Sequence, residues 1–116
     1  MKQSPIQVKS YEFSVAIVKL YRELMEKNEY IFARQILKSG TSIGANVEEA
    51  VGAQSRKDFY MKITIAFKEA KESNYWLRLL RDCHFIEPKP ADELIIQVNE
   101  LLKILTAIRR TVKYNQ

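Results

Sequence analysis

The residues with the most chemical potential lie in one stretch, where Lys57, Tyr60, Thr64, Lys68, Lys71, Tyr75 and Arg78 recur at spacings of three and four. In a helix of 3.6 residues per turn those spacings place every member on one side. Cations interleaved with tyrosines can hold phosphates by charge while the rings stack on exposed bases. The same pattern also describes an ordinary solvated helix face, and spacing alone does not separate the two. Arg109, Arg110 and Lys113 form a second cationic cluster near the C-terminus. They suit the negative end of a helix dipole, and the sequence does not say whether they lie near Lys68 and Lys71.

A neighbouring line of Asp58, Lys62, Ile65, Glu69, Glu72 and Trp76 follows the same helical spacing. Trp76 either widens the intramolecular core or anchors a contact between subunits, where tryptophan is over-represented. Ser39, Ser42, Asn46 and Glu49 make a polar line upstream, and with Glu69 and Glu72 they are placed to form a hydrogen-bond network between helices. Carboxylate-bridged metal bundles need Glu-x-x-His pairs, whereas the single histidine, His84, stands far from these acids. Cys83 is the single cysteine, so it forms no internal disulfide, and its expected role is that of a small buried apolar residue. With no glycine-rich phosphate loop and no nucleophile paired to a base, the sequence points to a non-enzymatic protein without cofactor or metal.

Four amphipathic segments must position these groups. The first follows Ser10, the expected N-cap, with Phe13, Ala16, Ile17, Leu20 and Leu24 as its apolar stripe. Residues 27–29 break it, and Asn28 is expected to cap the second, whose stripe is Ala33, Ile36, Gly40, Ile43, Gly44, Val47 and Val51. Glycine costs up to about 1 kcal/mol in a helix interior, so Gly40 and Gly44 on the packing face imply close approach of another backbone or a local break near residues 39–42. Ser55 and Asp58 form an expected capping box for a third helix with a core line of Phe59, Ile63, Ala66, Ala70, Ser73, Leu77 and Leu80, running to about His84. Pro88 and Pro90 stop it, and a fourth helix carries Leu94, Val98, Leu101, Leu102, Leu105, Ile108 and Val112.

The expected fold is all-α, an antiparallel up-and-down four-helix bundle, with residues 1–9 as an N-terminal tail and 10–116 as a single domain. A length of 116 residues allows one core of ordinary size, and 47% hydrophobic content with three glycines argues against disorder. A formal charge of +5 makes an anionic partner plausible without requiring one. No apolar run of membrane-spanning length and no signal-peptide core occur, so the expected location is the cytoplasm, away from membranes.

With the helices placed, three strings carry a resemblance: Thr41-Ser-Ile-Gly-Ala-Asn-Val-Glu-Glu-Ala50, Ser55-Arg-Lys-Asp-Phe59, and residues 65–80 ending Tyr75-Trp-Leu-Arg-Leu-Leu80. Over about residues 10–113 the chain resembles the bacterial four-helix bundle proteins encoded in intervening sequences of 23S ribosomal RNA genes, a family that looks related to the accessory variability protein of diversity-generating retroelements. The resemblance implies a homo-oligomer, a ring of five, with a positive surface suspected of binding RNA or DNA. It also implies packing or assembly roles for Ser42, Asn46, Glu49, Glu69 and Trp76. Where many members carry Glu-Gly this chain has Glu49-Ala50, so a more helical turn is expected after the second helix. A nucleic-acid-binding accessory protein and a scaffold for a partner enzyme are the two functions that follow.

Overall fold

The computed structural model describes residues 3–114, in four helices: α1 (Pro5–Glu26), α2 (Tyr30–Val51), α3 (Arg56–Asp82) and α4 (Pro88–Tyr114). Each helix packs on its sequence neighbours and α4 returns to α1, which makes the antiparallel up-and-down four-helix bundle that the stripes call for. The core runs down the centre as Phe13, Ile17 and Leu24 of α1, Ile36, Ile43 and Val47 of α2, Ile63 and Leu77 of α3, and Val98, Leu101 and Leu105 of α4, all nearly inaccessible to water.

Several boundaries differ from those expected. α1 starts at Pro5, with Ser4 as N-cap; the Ser4 amide donates to the Gln7 side-chain oxygen at 2.9 Å. Ser10 is therefore no cap. It is buried within the helix, and its carbonyl lies near Gly44, so residues 5–9 belong to the bundle and not to a tail. Val51 is exposed and Ala50 takes the core position on α2, because the buried stripe advances three residues beyond Val47 and a four-residue step to Val51 overshoots it. The helix continues through residue 50 and, across residues 39–42, without a break.

Asn28 and His84 share a role that spacing did not reveal. Both have positive φ, at 63° and 64°, and each follows a helix C-cap. The Glu29 amide donates to the Leu24 carbonyl and the Phe85 amide to the Leu80 carbonyl, both at 2.9 Å, closing each helix by the six-to-one bond of a Schellman stop. Asn28 thus ends α1 and does not cap α2, whose N-cap is Glu29. Cys83 is exposed at the C-cap of α3, which overturns its expected burial. At the start of α3 the Ser55 hydroxyl accepts from the Asp58 amide at 3.0 Å, the capping half of the expected box.

The two α2 glycines mark a close approach. A Cβ on Gly40 would lie 2.8 Å from two Ile17 side-chain atoms, and one on Gly44 would lie 3.2 Å from the Ser14 hydroxyl and 3.3 Å from the Ser10 carbonyl. Helix propensity alone favours alanine over glycine by about 1 kcal/mol, but forcing a methyl into a filled core costs about 1–3 kcal/mol. Gly40→Ala is therefore expected to lower the thermal midpoint. Ile17→Ala, which removes both of the Ile17 atoms that the methyl meets, should cost less in the Gly40→Ala background than in the wild type, a coupling read by thermal melts of the two single variants and the double.

Candidate nucleic-acid interface

α3 turns one flank towards α4, and the groove between them gathers cations from both helices. Arg109 is central to it. Its guanidinium carbon lies 4.5 Å from the Phe67 ring centroid and 5.8 Å from that of Tyr60, while its Nε donates to the Thr64 hydroxyl at 3.3 Å. The negative face of an aromatic ring attracts a cation, by about 0.5–1 kcal/mol where water has access. Lys71 approaches Phe67 as well, with Nζ at 5.8 Å.

Two adjoining concavities open along this groove. One of about 550 Å³ is lined by Tyr60, Thr106, Arg109, Arg110 and Lys113. The other, about 320 Å³, is lined by Phe67, Lys71, Leu102, Lys103, Thr106, Ala107 and Arg110. Thr106 and Arg110 belong to both, so the two form one trough, and every charged side chain lining it is a cation. Among the described residues, none of these cations sits within ion-pair distance of a carboxylate.

Farther along, Arg78 Nε donates to Asn74 at 2.8 Å, Asn74 donates to Asn99 at 2.8 Å, and the Arg78 guanidinium lies 5.9 Å from the Tyr75 ring. Of the expected binding residues, Tyr60, Lys71, Arg109, Arg110 and Lys113 thus meet in the trough, whereas Tyr75 and Arg78 lie farther along α3, outside both concavities. Lys57 and Lys68 are exposed but line neither concavity. Phe67, Lys103 and Thr106 were not singled out from sequence. Lys103, Thr106, Arg110 and Lys113 follow the three-and-four spacing already seen on α3, and that signal was available.

The opposite flank of α3, against α2, is acidic. Glu49 pairs with Lys62 at 2.9 Å, and this hydrogen bond, then the charge, raises the Lys62 pKa. Ser39 and Ser73 join α2 to α3 through buried hydroxyls 3.0 Å apart. Ser42 and Asn46 instead bond back to carbonyls of their own helix, so the polar line crosses to α3 through Ser39 and Glu49. Trp76 is half-buried, edge-on to Phe32 at 6.3 Å, and donates its indole N–H to Glu72 at 3.1 Å. Burial, and secondarily the Glu72 charge, raises the Glu69 pKa against a smaller opposing pull from Lys38. Among the described residues, no three His, Cys, Asp or Glu side chains converge as metal ligands would.

The family described as 23S rRNA-intervening sequence protein matches residues 2–107. The chain belongs to this family. A crystal structure of a protein with unknown function from the S23 ribosomal protein family of Bacteroides thetaiotaomicron is similar to it, with 44% sequence identity over 90% of this chain and 97% of that one, and a TM-score of 0.87. No curated protein matches the sequence. In this intervening-sequence family member, Lys71, Lys103 and Thr106 fall within the matched span, and Arg109, Arg110 and Lys113 lie beyond its end.

The raised Glu69 pKa has a definite sign. A carboxyl whose folded pKa exceeds its unfolded one favours folding while protonated, and that contribution is lost as pH rises through the folded value. Glu69→Gln is expected to raise the thermal midpoint at pH 7, with the gain vanishing below about pH 4, where both side chains are neutral. Paired melts across that range measure it.

Proposed function

We propose that this protein binds nucleic acid without catalysing a reaction, in the cytoplasm, and that the α3–α4 trough is its contact surface. The observation that carries the proposal is the convergence of Lys71, Lys103, Arg109, Arg110 and Lys113 from two helices into one concavity free of lining acids. The helix dipole accounts for cations at the end of α4 but not for Lys71 of α3 and Lys103, midway along α4, which line the same trough. A polyanion gains from the concentrated arrangement, because each neutralised phosphate releases counterions.

A second observation supports assembly. Val8, Tyr11 and Val15 stand three and four residues apart on the outer side of α1, with Tyr11 68% exposed. An apolar line of this kind fits a contact with another protein surface. Self-association into the five-membered ring that the family resemblance implies is the assembly we propose; a scaffold for a partner enzyme would use the same face.

Reversing Lys71, Lys103 and Arg110 to Glu together should abolish binding to labelled RNA or duplex DNA in fluorescence anisotropy, with helicity unchanged by circular dichroism. Undiminished affinity would remove the trough as the site. Wild-type protein is expected to run in light scattering at a multiple of 13.6 kDa, and Tyr11→Glu to shift it towards that single-chain mass. A wild-type mass near 13.6 kDa would refute assembly.

A further inference from the structure

The aromatic rings along the trough are already engaged. Arg109 lies over Phe67 and Tyr60 at 4.5 and 5.8 Å, and Lys71 is 5.8 Å from Phe67. The Tyr75 ring has Arg78 at 5.9 Å and the edge of Trp76 at 5.2 Å. Phe67 is also half-buried against the core. A base stacking on the cation-facing side of any of these rings would have to displace the cation and give up its attraction to the ring. Proteins that read unpaired strands depend on the opposite arrangement, in which rings are open and successive bases lie on them.

The remaining groups also favour phosphate over base. Lys103, Arg110 and Lys113 extend along α4 for about 15 Å, taking ten residues at the helical rise, so their charges form a line that a backbone can follow. The Thr64 hydroxyl accepts from Arg109 Nε and so helps to hold the guanidinium in the trough. Phe67, Tyr60 and Thr64 thus hold the Arg109 guanidinium at the trough, and Arg presents a planar fork suited to phosphate oxygens.

Resting on nucleic-acid binding at this trough, we propose that it recognises the phosphodiester backbone of a paired helix, independent of sequence, and not unstacked bases. RNA and DNA duplexes share that chemistry. The test uses anisotropy at physiological salt with three probes of equal length: a 20-base-pair RNA duplex, the DNA duplex of the same sequence, and an unpaired oligopyrimidine RNA. At least one duplex should bind tenfold or more tighter than the unpaired strand, and whichever duplex binds better identifies the source of the backbone. Tyr75→Ala, at an exposed position, should change duplex affinity less than about twofold. Arg110→Gln should weaken binding to duplexes of unrelated sequence alike and reduce the log-log salt slope by about one. Preference for the unpaired strand, with a tenfold loss in Tyr75→Ala, would overturn backbone recognition and leave nucleic-acid binding standing. No binding to any probe would instead remove the underlying proposal, and this one with it.

Discussion

The closeness of the helix backbones governs much else in this molecule. At Gly40 the α2 backbone meets the Ile17 side chain with no room for a methyl group, and across α2 and α3 the Ser39 and Ser73 hydroxyls touch. Ala66 and Ala70 extend the same small-residue seam along α3. Helices packed this tightly leave little interior volume, so of the rings among the described residues Phe13 alone is fully buried. Phe32, Phe67, Phe85 and Trp76 are displaced to the outer grooves, packed against the core from outside. The displacement gives cations something to rest on, since Arg109 and Lys71 owe their positions to rings the core cannot accommodate.

α3 therefore separates two unlike surfaces. Its α2 side carries Glu49 of the neighbouring helix with Glu69 and Glu72, and its α4 side carries Lys71 beside Arg109 and Arg110. The carboxylates on the α2 side are balanced in part by Lys62, paired with Glu49, and by Lys38 near Glu69, whereas the cations lining the trough on the α4 side have no lining acid among them.

The number of helices and most of their buried stripes were legible in the sequence, because apolar spacing reports which face needs cover. Ends were less legible. Ser10 has the right residue type for a cap, yet a small side chain also suits the place where α1 passes Gly44, and packing decided its role. Asn28 and His84 adopt left-handed backbone because their helices must stop and turn there, which spacing does not encode. The binding candidates on α3 and those at the α4 terminus were each visible as separate clusters. Their meeting in one trough depends on the register of α4 against α3, a tertiary quantity, and for the same reason Phe67 passed as one more apolar residue.

The two left-handed helix stops lie at the same end of the antiparallel bundle, where α1 turns into α2 and α3 into α4. The other end has the 52–55 link, the last turns of α4 and an apolar crevice of about 470 Å³ between the four helices. α4 is thus tied to the rest of the chain only through the 83–87 turn, and at its far end its register against α3, on which the trough depends, is kept by side-chain contacts alone, among them those of Arg109 with Phe67, Tyr60 and Thr64.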